Sequence, residues 1–450
     1  MENHYLNRKT AVLAILLVIA TLLCCACSAK SAEILPTATD NEAEVSQSGN
    51  SLYVEPLKIS SPQNYIQSLS NTKENKDNCN GVYDIYSKTL NDTVSETVVS
   101  RKEWLQSLMD SLNIDITTTT DSKLEFTDGE IFDCKYLFAS ARQKGIINDY
   151  DTINPYKAVS RRYASYTIVN ALGYEKETHI DCADSNSMFG EYNLITAISY
   201  GYFDLDEEDN ANPDALVTKD EMEKVMNDLK KIAVLRGKKI LAFGDSIMRG
   251  DGNYKVGIPE LIAEKYFMDV KNYSLGGATF GYAEGKSHIS NQIVEALSDY
   301  ETGDIILVNG LTNDIVKDNK GTMSGDNDFA YGRNGRKTFA SGMEYAIGFL
   351  KDNYTDIPMF FINAHNMTYS PEEKEKEYNN LALEICKKWD MDYVDIFNKS
   401  GFNCEDEYTC DAFTADIRGT GHGDSIHPNQ RGYHKFYLPL ITDKMAELLK

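Results

Sequence analysis

Lys239-Ile240-Leu241-Ala242-Phe243-Gly244-Asp245-Ser246 is the stretch on which the fold turns. A few apolar residues run straight into Gly-Asp-Ser, as a buried parallel strand does when it ends in a tight turn. Open α/β sheets place their sites at the carboxyl ends of such strands. Ser246 would then stand on the turn, at the start of the next helix. Gly-Asp-Ser by itself is a common turn sequence, so its weight depends on the turns further along the chain.

From residue 236 to the end, strands and helices alternate. Strands are expected at Asp269–Tyr273, Asp304–Val308, Pro358–Ile362 and Tyr393–Phe397, with helices at Ile258–Tyr266 and Pro371–Trp389. This predicts an α/β domain over 236–450, a parallel sheet with helices on both faces. The first three strands end in Gly- or Asn-bearing turns: Gly244-Asp245-Ser246, Ser274-Leu275-Gly276-Gly277, and Asn309-Gly310-Leu311-Thr312-Asn313-Asp314. The fourth leads to Asn363-Ala364-His365, and Asp424-Ser425-Ile426-His427 precedes the closing helix. A serine nucleophile needs a base within hydrogen-bond reach, and the base needs a carboxylate to fix its tautomer. Asp424, three residues before His427, can fold back onto the ring. A glycine N–H and an asparagine amide can stabilise an oxyanion without adding charge. Asp245, Asp314, His365 and His422 read as turn-capping or loop residues rather than as acids or bases.

Four blocks, Gly244-Asp245-Ser246, Asn272 to Gly277, Asn313-Asp314 and Asp424 to His427, together resemble the SGNH (GDSL-type) hydrolases over about 240–445. The resemblance implies a flavodoxin-like three-layer α/β/α fold and a serine esterase. It makes Ser246 the nucleophile, His427 the base and Asp424 its orienter. The oxyanion hole would be the Ser246 N–H, the Gly277 N–H and the Asn313 side chain. One block departs: the family prefers Gly two places before this Asn, where Leu311 stands here. No metal or other cofactor is implied, and the cysteine spacing shows no zinc pattern. The implied substrates are acetyl or other short acyl esters, on carbohydrate. A lipase or lysophospholipase of the same fold is a rival reading, and a non-catalytic wall- or carbohydrate-binding lipoprotein is an alternative from another class.

Ahead of this domain, Arg8 and Lys9 precede the apolar run Ala11–Leu23, 13 residues long. That is short for a membrane span and suited to an export signal over 1–27. The run ends in Cys24-Cys25-Ala26-Cys27, which resembles a bacterial lipoprotein site with Cys27 acylated. Cys24, Cys25 and plain secretion stand as alternatives. The expectation is an exported protein at the bacterial cell surface, touching membrane only through a lipid anchor. Residues 28–62 read as a flexible tether.

Residues 63–232 repeat, giving a mostly α-helical N-terminal domain. Val99-Ser100-Arg101, Val159-Ser160-Arg161 and Val217-Thr218-Lys219 stand 60 and 58 residues apart, each opening a helical apolar period behind an N-cap Ser or Thr. With Gly145-Ile146-Ile147 and Asn154-Pro155, these units resemble S-layer homology repeats. That resemblance implies cell-wall polysaccharide as a partner, held by Arg101 and Arg161; a structural spacer is the other reading. The repeats and the α/β domain are expected to fold separately, with a boundary between Leu229 and Lys238. Cys404 and Cys410 are close enough to close a small loop. The formal charge of −24 opposes binding to nucleic acid or to anionic lipid.

Overall fold

The computed structural model describes residues 97–117, 134–148, 153–177, 182–188, 190–285, 287–323 and 337–450. The export signal with Cys27, the tether and the start of the first repeat lie outside the described residues. No described helix is long and apolar enough to cross a membrane.

The N-terminal part is built from α1 (Arg101–Ser111), α2 (Lys135–Gln143), α3 (Arg161–Leu172), α4 (Tyr192–Ser199) and α5 (Lys219–Lys230). Ser100, Ser160 and Thr218 cap α1, α3 and α5, accepting the N–H of Glu103, Tyr163 and Glu221. The three repeats close on one another through backbone. Val99 N–H donates to Val217 C=O (3.3 Å), Val159 N–H to Val99 C=O (2.9 Å), and Val217 N–H to Val159 C=O (2.8 Å). The spacing of near 60 residues is thus a ring of three, in which each repeat satisfies the backbone of the next.

Five parallel strands follow: β1 (Lys239–Phe243), β2 (Asp269–Asn272), β3 (Ile305–Asn309), β4 (Met359–Ile362) and β5 (Asp392–Val394), in the order β2-β1-β3-β4-β5. α6 (Ser246–Arg249) and α7 (Ile258–Tyr266) follow β1, and α8 (Ile289–Ser298) follows β2. After β3 come α9 (Thr312–Lys317) and α10 (Phe339–Asn353), after β4 comes α11 (Glu372–Lys388), and after β5 come α12 (Glu407–Phe413) and α13 (Leu438–Leu448). α8, α10 and α11 pack side by side as one layer, α7 with α13 as the other. Covered on both faces, Ile240–Phe243 and the whole of β3 are buried, which is why these strands are apolar without alternation. The strand order turns about β1, so the crevice lies at the carboxyl ends of β1 and β3.

Two local expectations fail. β5 stops at Val394, and Ile396–Lys399 forms a helical turn because the Asp395 carboxylate accepts the Asn398 N–H at 3.2 Å. Cys404 and Cys410 form no disulfide; both are buried thiols, and Cys410 is carried into α12.

The repeats pack on the α/β sheet through polar as well as apolar groups. Lys265 of α7 is buried with its Nζ 2.5 Å from Asp228 Oδ2 of α5, and the Tyr266 hydroxyl donates to the same carboxylate. Burial would raise the Asp228 carboxyl, but Lys265 and Lys231 pull it down to about 2. Tyr174 O–H donates to Lys265 C=O at 2.6 Å, Gln430 Nε2 to Ser199 C=O at 2.9 Å, and Arg431 pairs with Asp209 at 2.8 Å.

Candidate active site

The turn after β1 aims Ser246 into the crevice. Asp245, fully buried, caps α6 by accepting the Ile247 N–H at 2.9 Å. Its carboxyl is pushed up to about 6 by burial. Gly244 is gripped from behind by the buried carboxamide of Gln292 on α8. Gln292 Oε1 accepts the Gly244 N–H and Nε2 donates to Gly244 C=O, both at 2.8 Å. The turn that carries Ser246 is therefore held on both sides by buried polar groups.

His427 Nε2 lies 2.8 Å from Ser246 Oγ, and His427 Nδ1 lies 2.6 Å from Asp424 Oδ2. The other carboxylate oxygen of Asp424 accepts the N–H of Ile426 (2.9 Å) and of His427 (2.8 Å). Burial works to raise the Asp424 carboxyl, but the hydrogen bonds from His427 hold it below the usual carboxylate range. A carboxylate there fixes the proton on Nδ1 and leaves Nε2 as an acceptor facing the serine.

The loop that carries Asp424 and His427 has its own supports. Asp424 N–H donates to Ala415 C=O (3.0 Å) and Ala415 N–H to His427 C=O (2.8 Å). Ser425 adopts a left-handed φ of 63°. Its carbonyl is met by His365 Nε2 at 3.1 Å, while His365 Nδ1 lies 2.8 Å from the Tyr437 hydroxyl. A carbonyl only accepts, so the His365 proton sits on Nε2 and Nδ1 accepts from Tyr437. Burial draws His365 down to about 4, so it stays neutral. It is a brace for the Asp424–His427 loop.

The glycine turn after β2 brings Gly276 and Gly277 beside the serine turn. Gly277 takes a φ of +78°. A Cβ on Gly276 would stand 2.3 Å from Arg249 Nη2, and Arg249 is itself locked on Asp251 at 2.6 Å. A side chain at Gly276 would have to displace the Arg249–Asp251 pair, and one at Gly277 would be strained. Asn313 is in the first turn of α9 and donates from Nδ2 to Ala278 C=O at 3.0 Å, with Asp245 Oδ2 at 3.5 Å. The next residue, Asp314, is buried and accepts the N–H of Phe280 (3.0 Å) and Gly281 (2.8 Å), which ties the third turn to the second. Its carboxyl is raised to about 7, by burial. Leu311, in place of the usual glycine, is fully buried at φ +87°.

Residues 242–435 match the model of the GDSL-like lipase/acylhydrolase family. The C-terminal half carries a GDSL-like lipase/acylhydrolase domain. No curated protein matches the chain. Solved structures similar to it include a protein from Lactobacillus plantarum, 20% identical with a TM-score of 0.38 over 48% of this chain and 97% of that one. A GDSL-like lipase from Bacteroides ovatus is 18% identical with a TM-score of 0.32, over 47% of this chain and 99% of that one. A carbohydrate acetylesterase family member from Sinorhizobium meliloti is 13% identical with a TM-score of 0.33, over 47% and 99%.

The structure thus brings Ser246, His427 and Asp424 together in one hydrogen-bonded row of this GDSL-like domain, with Asn313 and the Gly276-Gly277 turn packed beside it. It does not bring Arg101 and Arg161 to that site. Arg101 donates to Ile153 C=O (3.2 Å) and lies over Tyr163, while Arg161 donates to Asp204 C=O (2.9 Å) and pairs with Glu221 (3.1 Å). Each guanidinium clasps the following repeat. His422 sits at the surface on Asp411, 2.8 Å away. Sequence reasoning passed over Gln292, which lies in an ordinary amphipathic helix, and Arg249, which reads as a helix-end charge.

Proposed function

We propose that this GDSL-like domain is a serine esterase that cleaves acetyl or other short acyl groups from carbohydrate outside the cell. One observation carries the reading: the Asp424–His427–Ser246 row, at 2.6 and 2.8 Å, on the carboxyl edge of a parallel sheet. In this reading Ser246 Oγ attacks the ester carbonyl while His427 Nε2 takes its proton. His427 then returns that proton to the leaving alcohol, and Asp424 stabilises the charged ring between the two steps. The Ser246 and Gly277 N–H groups and the Asn313 amide would receive the oxyanion. Asn313 would do so with the hydrogen now directed at Asp245, its longer contact. The acyl-enzyme is released by water activated in the same way.

The exported, lipid-anchored setting through Cys27 and the S-layer-homology identity of the repeats belong to this proposal. The first rests on the apolar run ending in Cys24-Cys25-Ala26-Cys27, the second on the 60- and 58-residue spacing of the capped helix starts. Binding of wall polysaccharide through Arg101 and Arg161 would have to compete with their partners inside the ring of repeats. The test is hydrolysis of p-nitrophenyl acetate. Activity is expected in the parent and is lost by roughly three to six orders of magnitude in Ser246→Ala. A rate that survives this substitution would overturn the mechanism.

A further inference from the structure

Beside the catalytic row is a cleft of about 720 Å³, within the roughly 300–1,000 Å³ of small-molecule sites. The segment after α6 forms one wall, the Thr414–Ile417 segment another, and the carboxyl end of α4, from the helical repeats, the third. It adjoins His427 through shared walls. A Cβ on Gly252 would stand 2.8 Å from His427 Cβ, and Ala415 holds the backbone on both sides of the Asp424–His427 loop.

The lining selects a ligand chemistry. Its charged groups already have partners: Asp251 is paired with Arg249, Arg431 with Asp209, and Asp416 accepts the N–H of Thr420 and Gly421. The remaining polar side chains, among them Ser199, Asn253 and Gln430, are neutral. His434 also lines the cleft, with both ring nitrogens buried and without a hydrogen-bond partner, and burial keeps it neutral down to about pH 3. No cation of the lining is left free for an anion, and the one carboxylate not held by a cation, Asp416, is exposed with its oxygens taken up by backbone N–H groups. At the rim Tyr254 is 97% exposed, on a left-handed backbone (φ 51°) that turns it away from the core, and Ile417 is 52% exposed. Neutral hydrogen-bonding groups beneath an exposed ring and an aliphatic face suit a molecule with hydroxyl edges and an apolar C–H face.

We infer that this cleft is a subsite for a sugar residue of the alcohol part of the substrate, with Tyr254 as its stacking platform and the α4 end of the helical repeats as its outer wall. The inference rests on the serine-esterase reading of the catalytic row. It gives the repeats a part in substrate choice without any direct role in the bond-breaking step.

The test compares two kinds of ester on the full chain: p-nitrophenyl acetate, and O-acetylated xylo-, cello- and chito-oligosaccharides. Tyr254→Ala, at a fully exposed position, and Ser199→Trp, which fills the cleft, are expected to leave kcat/KM for p-nitrophenyl acetate within about twofold. KM for the hydrolysed oligosaccharides should rise roughly three- to tenfold with kcat little changed. The subsite is overturned if neither variant alters oligosaccharide KM, if both substrates weaken equally, or if the parent cleaves p-nitrophenyl acetate but none of the three oligosaccharides. Failure of the parent on every ester, or survival of activity in Ser246→Ala, would instead sink the esterase reading itself.

Discussion

Replacing Asp424 by Asn tests the proposed catalytic row most sharply, because it exchanges one carboxylate oxygen for NH2 and changes almost no shape. Asp424 Oδ1 accepts two backbone N–H groups, from Ile426 and His427. An Asn in the same place keeps that acceptor only by turning its NH2 group toward His427 Nδ1. Nδ1 must then accept, the ring proton moves to Nε2, and Nε2 now offers Ser246 a hydrogen instead of a lone pair. Restoring the productive tautomer sets two donors against each other, a penalty of about 1–3 kcal/mol. Loss of the carboxylate beside the charged ring adds about 3–4 kcal/mol at the effective dielectric of a partly exposed site. Together these give about 4–7 kcal/mol, or roughly three to five orders of magnitude in kcat. The assay is steady-state hydrolysis of p-nitrophenyl acetate, with thermal unfolding measured alongside. The melting temperature should hardly move, since the backbone caps survive. A variant that keeps more than about a tenth of parental kcat would refute the tautomer argument.

Four other outcomes rest on particular contacts. Leu311→Gly relieves a left-handed non-glycine backbone worth about 1–2 kcal/mol but empties a fully buried leucine site worth about 2–5, so urea unfolding should show a net loss of up to about 4 kcal/mol; a gain would mean that strain outweighs packing. Asp228→Asn leaves Lys265 buried without its counter-charge and should cost about 3–5 kcal/mol. For the same reason a chain begun near Leu235 should unfold at lower denaturant than the full chain, and equal midpoints would show that the repeats are dispensable to the sheet. Burial holds the folded-state values of His365 and His434 at about 4 and about 3, below the unfolded value near 6.5. The unfolded chain therefore binds more protons between those limits, and this contribution to stability falls as pH drops below about 6.5. His434→Leu should lose less stability than the parent between pH 7 and pH 5, and an equal loss would exclude His434 as a contributor.

What could be read from sequence divides along a physical line. Ser246, and Asp424 with His427, were legible as candidates because each lies in a short local block, Gly-Asp-Ser and Asp-x-x-His, and because β1 ends abruptly in its turn; that the two blocks meet across 181 positions is seen only in the structure. The sheet was legible for a similar reason, since strands covered on both faces must be apolar throughout. The end of β5 was not. Ile396 and Phe397 continue the apolar run, and it is the Asp395 cap, with Asn363 Oδ1 accepting the N–H of both residues, that turns them into a helix. Gln292 and His365 could not be found either. Each acts on a segment dozens of residues away, Gln292 across 48 positions to Gly244 and His365 across 60 to Ser425. Such distant pairings leave no local pattern.

The repeats show how one period carries two kinds of residue. Val99, Val159 and Val217 were visible as a period, and the structure turns that period into a closed backbone ring. Arg101 and Arg161 were equally visible, yet both spend their hydrogen bonds inside that ring. A ring closed on itself has a defined outer surface, and part of that surface meets α7 and α13. Lys265, an unremarkable lysine on an amphipathic helix by sequence, becomes a buried cation whose counter-charge comes from α5. The same contact face sets Ser199 against Gln430, three residues after His427. A change in how the repeats sit on the sheet would therefore reach the walls of the cleft beside the base before it reached the reacting atoms. It should alter substrate choice before it alters the turnover of a small ester.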